Sequence, residues 1–305
     1  MRFARDVTLI ALVIVLLGCA GMDPNAGIPV SDLADPWTHL DFSNDPNSFQ
    51  FAVVSDRSGH IRPGVFESAV EKLNLLKPEF VISVGDFIDG LTEDHVIFDR
   101  QWSEFIGMVN KLQMPFFYVP GNHDIDNQVM LEAWHTRFGP TYYHFVYRNV
   151  LFLCVDTMDP PKWGISDGQI DYFRRVLEAN PPQWIRWTLV FMHQPAWQGE
   201  SQKDWEKLES LLADRPYTVF AGHLHKYSKS VRDGRQFYVL ASTGAGGRGP
   251  GYEPLGLQHG EFYHTVWVTM TGEGPVIANL LLEGILDDEP CPREPEPDSL
   301  PSPPR

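Results

Sequence analysis

Apolar and polar positions along this chain switch between the period of a strand and that of a helix. "FQFAVVS", residues 49–55, reads as a buried strand. Phe66, Ala69, Val70, Leu73 and Leu76 then recur at helical spacing, and Pro78 closes that helix. "EFVISVG" is a second strand, and Phe98, Trp102, Phe105, Val109 and Leu112 form the stripe of a second helix. "PFFYVP" is a third strand, and "YYHFVYRNVLFLCVDT" predicts two paired strands. Ile170, Phe173 and Leu177 mark a helix, "WTLVFM" a strand, Trp205, Leu208 and Leu212 a helix, and "YTVFAG" a strand. From Lys226 the pattern turns to strands: "RQFYVLAS", "YHTVWVTMT" and "PVIANLLLEG". The order predicts an α/β fold whose largely parallel sheet is flanked by helices and continues into a mixed or antiparallel sheet.

The two ends fall outside this pattern. Arg2 and Arg5 precede an apolar run from Val7 to Leu17, and Leu16-Leu17-Gly18-Cys19 resembles a bacterial lipoprotein signal. Residues 1–18 are therefore expected to be a signal peptide, with Cys19 as the lipidated residue. That places the protein outside the cytoplasm, facing the periplasm or cell exterior and held to a membrane by its lipid. Residues 19–48 lack periodicity and read as a flexible tether, and 287–305 as a disordered acidic, proline-rich tail. One domain is expected over 49–286. Cys154 and Cys291 make a poor disulfide pair, and Cys154 reads as a small core residue.

Composition limits the partners. A formal net charge of −16 argues against a binder of long nucleic acids, whose affinity comes from Lys and Arg neutralising phosphates. A smaller phosphorylated ligand stays open, because bound cations can supply the missing positive charge.

Chemistry gathers at the strand ends, where α/β sheets place their sites. In order these carry Asp56, "GDFID" (85–89), "GNHD" (121–124), His193 and "GHLH" (222–225). A carboxylate can bridge two divalent ions, and amide oxygen and imidazole can fill the outer positions, a shell suited to Mn, Fe, Zn or similar ions. Glycines before Asp86, Asn122 and His223 are expected to let the backbone turn sharply.

This ordered motif set resembles the calcineurin-like metallophosphoesterase superfamily over about residues 49–285. The resemblance implies two packed mixed β-sheets flanked by helices, a four-layer αββα sandwich. It implies that Asp86 bridges two metals, that Asn122, His193 and His223 hold one, and that Asp56 and His225 hold the other. His123 would not ligate but would act on the substrate as proton donor or transition-state contact, oriented by Asp89. The implied reaction is hydrolysis of phosphate mono- or diesters by a metal-bound hydroxide. Substrates of that kind include a phosphorylated small molecule, a phosphoprotein or an envelope component.

One motif departs from the family. Where its pattern is Asp-x-His, this chain has Asp56-Arg57-Ser58. His60 could replace the missing ligand, water beside Ser58 could fill its place and leave a weaker site, or one metal could be absent. The second reading is adopted; the departure also motivates an alternative, a non-catalytic or single-metal lipoprotein that binds phosphorylated ligands. Arg57 and Arg248 are the basic residues best placed for a substrate phosphate. The glycine-rich stretch 244–260 is expected to rim the site, and "PAWQGESQKDW" after His193 to wall its pocket; Trp163, Trp197 and Tyr252 could frame that pocket, but as with most aromatic residues packing is the expected role. His39, His95, His135, His144, His259 and His264 match no motif and are expected to pack or face solvent.

Overall fold

The computed structural model describes Thr38, Phe42 and residues 45–159, 164–246, 249 and 252–284. A compact unit begins at residue 44 and holds all the described strands and helices. Its strands are β1 (Phe49–Val54), β2 (Val81–Ser83), β3 (Phe116–Phe117), β4 (Tyr143–Tyr147), β5 (Val150–Val155), β6 (Trp187–Met192), β7 (Tyr217–Ala221), β8 (Ser228–Arg232), β9 (Arg235–Val239), β10 (His264–Thr271) and β11 (Gly274–Leu281). Its helices are α1 (Val65–Leu76), α2 (His95–Val109), α3 (Gln128–Phe138), α4 (Asp167–Ala179) and α5 (Gln202–Ser210).

Two mixed sheets result. One has the order β11-β10-β1-β2-β3 and the other β4-β5-β6-β7-β9-β8. Strands β1, β2 and β3 run parallel, as do β5, β6, β7 and β9, and antiparallel strands complete both sheets.

Side-chain alternation along each strand builds the layers. Phe49, Phe51 and Val53 of β1 face Phe152, Cys154, Leu189 and Phe191 of the other sheet, forming the core between the sheets. The neighbours Ala52 and Val54 face the opposite way, onto α1, α2 and α3. Leu151, Leu153 and Val155 of β5 likewise face α4 and α5. The inner core is aromatic: the Phe51 and Phe152 rings meet edge to face at 5.5 Å. Truncating such a ring to alanine costs about 3–5 kcal/mol. Cys154 is a free, buried thiol that burial pushes up to about 12, which keeps it unreactive.

Two elements were not expected from the sequence. Helix α3 buries only Met130, Ala133 and Trp134, too few to form a visible stripe, and its clearest start signal is the Asn127 cap on the Met130 N–H. Strand β8 is an exposed edge whose side chains show no apolar alternation.

The described end of the stretch read as a tether is hydrogen-bonded to the domain. Residues 45–48 form a turn closed by the Ser48 N–H on the Asp45 carbonyl, and Arg148 and Arg186 donate to the carbonyls of Ser48 and Asn47. The signal peptide, Cys19 and the tail from 287 lie outside the described residues. No helix among the described residues is long and apolar enough to cross a membrane.

Candidate metal centre

Parallel strands of two sheets end side by side, so their loops deliver donors to one place. Asp56 follows β1, Asp86 follows β2, Asn122 follows β3, His193 follows β6, and His223 and His225 follow β7. Two donor groups form there. In one, ligand atoms of Asp86, His193 and His223 lie within 4.8 Å of one another; in the other, those of Asp56, Asp86 and His225 do. Asp86 belongs to both. His193 Nε2 stands 2.9 Å from Asn122 Oδ1, which adds the amide to the first group.

Packing forces these approaches. A Cβ on Gly121 would lie 2.1 Å from Asp86 Oδ1, and one on Gly222 would lie 2.4 Å from Asp56 Oδ2. Both glycines are needed for this close approach, and Gly85, at φ +97°, also takes a left-handed conformation. Asp86, His223 and His225 themselves take φ of +62°, +70° and +51°, conformations that cost roughly 1–3 kcal/mol each and concentrate at functional sites.

The donor set fits cations. His193 Nδ1 lies 2.8 Å from the Val84 carbonyl, which requires a proton on that nitrogen. Its Nε2 then faces Asp86 Oδ2 at 3.2 Å, Asn122 Oδ1 at 2.9 Å and His223 Nδ1 at 3.1 Å. One ring nitrogen can satisfy one hydrogen bond, so three converging partners resemble a ligand shell more than a hydrogen-bond network. His225 Nε2 meets Asp56 Oδ1 at 3.2 Å in the second group.

The charges tell the same story. Burial favours a neutral His193, yet Asp86 and Asp56 raise it to about 9. Burial also works against ionised Asp56, but His225 and His193 hold it below the usual carboxylate range. Burial and the neighbouring His193 drop His223 to about 4. His225 is raised by Asp56 against burial. The buried carboxylates thus concentrate negative charge that protons or cations must balance.

His123 belongs to neither donor group. Its backbone N–H donates to Asp86 Oδ1 at 2.9 Å, and its ring borders the same cavity. The expected orienting pair is corrected by the structure: His123 Nδ1 lies 2.8 Å from the backbone carbonyl of Asp89, not its carboxylate. A carbonyl accepts, so Nδ1 carries the proton and Nε2 is left toward the cavity.

Arg57 is also corrected. It is 2 % exposed, donates to the Phe87 carbonyl at 2.9 Å and pairs with Glu104, so it cannot reach a substrate phosphate. Arg248 lies outside the described residues, as do Trp163 and His39. Ser58 is fully buried, and its Oγ has no hydrogen-bond partner among the described residues. His60 sits exposed on the rim at φ +67° and joins neither donor group. Trp197 packs on Phe237 at 5.2 Å inside the core rather than framing a pocket. Gln194, Pro195, Ala196, Gln198, Gly199 and Ser201 do wall a cavity beside His223, and Ala245, Gly246 and Tyr252 of the glycine-rich stretch line another. His95, His135, His144, His259 and His264 lie outside both donor groups.

Two supporting residues went unread in the sequence. Asp124 accepts from the backbone N–H groups of Asp86, Phe87 and Gly121 at 2.8–2.9 Å. Its place in "GNHD" was the available signal. Thr243 takes the Ser55 N–H on its hydroxyl and donates its own N–H to the Asp56 carbonyl, which positions Asp56; no local signal marked it.

Comparison with known proteins agrees with this geometry. A family model described as calcineurin-like phosphoesterase matches residues 38–227, more than half the chain. The chain is 24% identical over 199 residues to 3',5'-cyclic adenosine monophosphate phosphodiesterase CpdA of Haemophilus influenzae, covering 58% of this chain and 66% of that protein. Its fold is similar to that of purple acid phosphatase PPD1 from yellow lupin, with TM-score 0.57 and 13% identity, covering 78% of this chain and 52% of the other. A dimetal phosphatase from Danio rerio matches with TM-score 0.53 and 15% identity, over 77% of this chain and 99% of that one. The chain thus spans 66% of the curated relative and about half of the lupin enzyme.

Proposed function

This chain belongs to the calcineurin-like phosphoesterase family, and on that premise we propose that it hydrolyses phosphate esters at a centre for two divalent cations. One observation carries the reading: the Asp86 carboxylate is common to two separate His/Asp donor groups. Asp86, Asn122, His193 and His223 would hold one ion, and Asp56, Asp86 and His225 the other. Ions of the Mn, Fe or Zn type bound there supply positive charge against phosphoryl oxygens and acidify water. His123 serves as the proton donor to the departing ester oxygen. The Asp89 carbonyl keeps one proton on Nδ1, so the proton given to the ester oxygen is a second one, carried on Nε2 of the imidazolium form. The relative named for cyclic AMP supports phosphodiesters within this class. Residues 1–19 complete the proposal as an export signal and lipid anchor, which a Cys19→Ala variant would test by leaving the membrane fraction.

Two variants test the reaction. Asp86→Ala should lose both equivalents of metal, whereas His123→Ala should keep its metal and lose turnover by about 10²–10⁴-fold. Metal analysis beside chromogenic ester hydrolysis reads both. Parental turnover in His123→Ala defeats the assignment. A parent that binds metal but cleaves no ester favours the second reading, a phosphate-ester binder, for which the buried, unpartnered Ser58 Oγ is the motive.

A further inference from the structure

Three cavities meet at the turn His223–Leu224–His225. The first, of about 490 Å³, is bordered by Asp86, Asn122, His123, His223 and His225. The second, of about 290 Å³, leads from the turn past Lys226 to Tyr252 and Phe262. The third, of about 540 Å³, leads from His223 and Leu224 along Gln194, Pro195 and Gln198. His223 borders all three, and Leu224 stands between the second and third. The backbone holds it there: His223 and His225 on either side are left-handed, and the Leu224 N–H closes on the Gly222 carbonyl at 2.8 Å. Half of this leucine is exposed, an apolar chain between two donor histidines.

We infer that Leu224 divides the substrate site into two arms and that the favoured substrate is an acyclic phosphodiester with one ester substituent in each arm. The inference rests on the ester-hydrolase reading and names its substrate class. A monoester brings one organic group to the first cavity, and a cyclic diester returns both ester oxygens to one group. Only an acyclic diester presents two. Both arms are of the size that holds a small organic moiety. Their chemistry differs: the Gln194–Gln198 arm offers amides and a proline, and the other offers Lys226 beside two aromatic rings.

The charge of the described lining points the same way. Among the described residues, Lys226 is the one Lys or Arg lining the three cavities, which also carry Asp86, Asp89 and Glu261. Arg57 is withdrawn into its pair with Glu104. A monoester brings close to two negative charges at neutral pH, a diester only one. In the reaction a water oxygen bonds to phosphorus, one P–O ester bond breaks, and the departing oxygen takes a proton. A monoester and an alcohol result.

The test uses the full chain loaded with Mn²⁺, in the His123→Ala form so that binding is read without turnover. Calorimetric titration compares bis(p-nitrophenyl) phosphate, p-nitrophenyl phosphate and 3',5'-cyclic AMP. The acyclic diester should bind at least tenfold more tightly than either of the others. Adding Gln198→Trp, at an exposed position, fills the third cavity and should lower the diester-to-monoester affinity ratio at least tenfold. A monoester can use the arm that remains. Leu224→Ala should lower the same ratio by merging the arms. Equal or tighter binding of the monoester or cyclic ligand overturns the two-arm inference, as does a Gln198→Trp effect common to all ligands. If the parent turns over monoesters better than diesters, the arms fail and the hydrolase reading stands. If the diester preference in binding holds but the parent cleaves nothing, the hydrolase reading alone fails. Absence of binding by all three overturns both.

Discussion

The Asp124 carboxylate accepts the backbone N–H of Asp86 at 2.9 Å, although 38 residues separate them. The same carboxylate holds the N–H groups of Phe87 and Gly121. Asp86 is left-handed and shared by two donor groups, so its backbone must be pinned before its carboxylate can be aimed. Burial and the Asp86 charge raise the Asp124 pKa, while the N–H donors favour the anion.

Asp124→Asn should therefore cost about 2–4 kcal/mol, because one amide oxygen cannot replace two carboxylate oxygens and the amide N–H₂ faces backbone donors. Chemical denaturation measures the loss. Metal content should fall with it, and a variant as stable as the parent removes Asp124 from this role.

Ser58 predicts unequal metal sites. Among the described residues the second donor group consists of Asp56, Asp86 and His225. Graded chelation should strip one equivalent of metal at roughly 10–100-fold lower chelator concentration than the other, and Ser58→His should narrow that gap. His60→Ala should leave the metal stoichiometry at the parental value. Loss of an equivalent in His60→Ala would make His60 the replacement ligand.

Arg57→Met is expected to act on stability and not on substrate affinity. It removes the bond to the Phe87 carbonyl and the Glu104 pair, at a cost of about 2 kcal/mol. The melting temperature should drop while KM for a chromogenic ester stays within about twofold of the parent's, the scatter expected for a residue that touches no substrate. A KM that rises tenfold at unchanged melting temperature would return Arg57 to the phosphate site.

His264 predicts acid sensitivity. It is buried, its Nδ1 meets Asn279 Oδ1 at 3.0 Å, and burial lowers it to about 4 from an ordinary 6.5. Between those values the unfolded chain binds the proton more readily than the folded one. Stability present above pH 6.5 should thus be lost as pH falls towards 4, by about 3 kcal/mol at most. Denaturation midpoints across that range should fall in the parent and flatten in His264→Gln. An unchanged slope in the variant would assign the acid loss to other groups.

Much of the fold was legible because buried strands and amphipathic helices write their periods locally. Strand β6 coincides with the "WTLVFM" run, and α1 keeps its predicted stripe of Phe66, Ala69, Val70 and Leu73. Helix α3 and strand β8 were not legible, because little of either is buried. Strands β2 and β3 are only three and two residues long, shorter than their apolar runs, since a run records burial and not strand pairing.

By itself the sequence pointed to the strand-end donors, Asp56, Asp86, Asn122, His193, His223 and His225, because each follows an apolar run and four of them sit in the motifs "GDFID", "GNHD" and "GHLH". Their grouping around Asp86 was implied by the resemblance and is seen in the fold, whereas Arg57's turn away from the cavity and His123's hold on a carbonyl were decided only in three dimensions. Side-chain direction depends on what a distant strand places opposite, and no spacing along one segment encodes that. The division of the cleft by Leu224 belongs to the same category, since it needs three loops to converge on one turn.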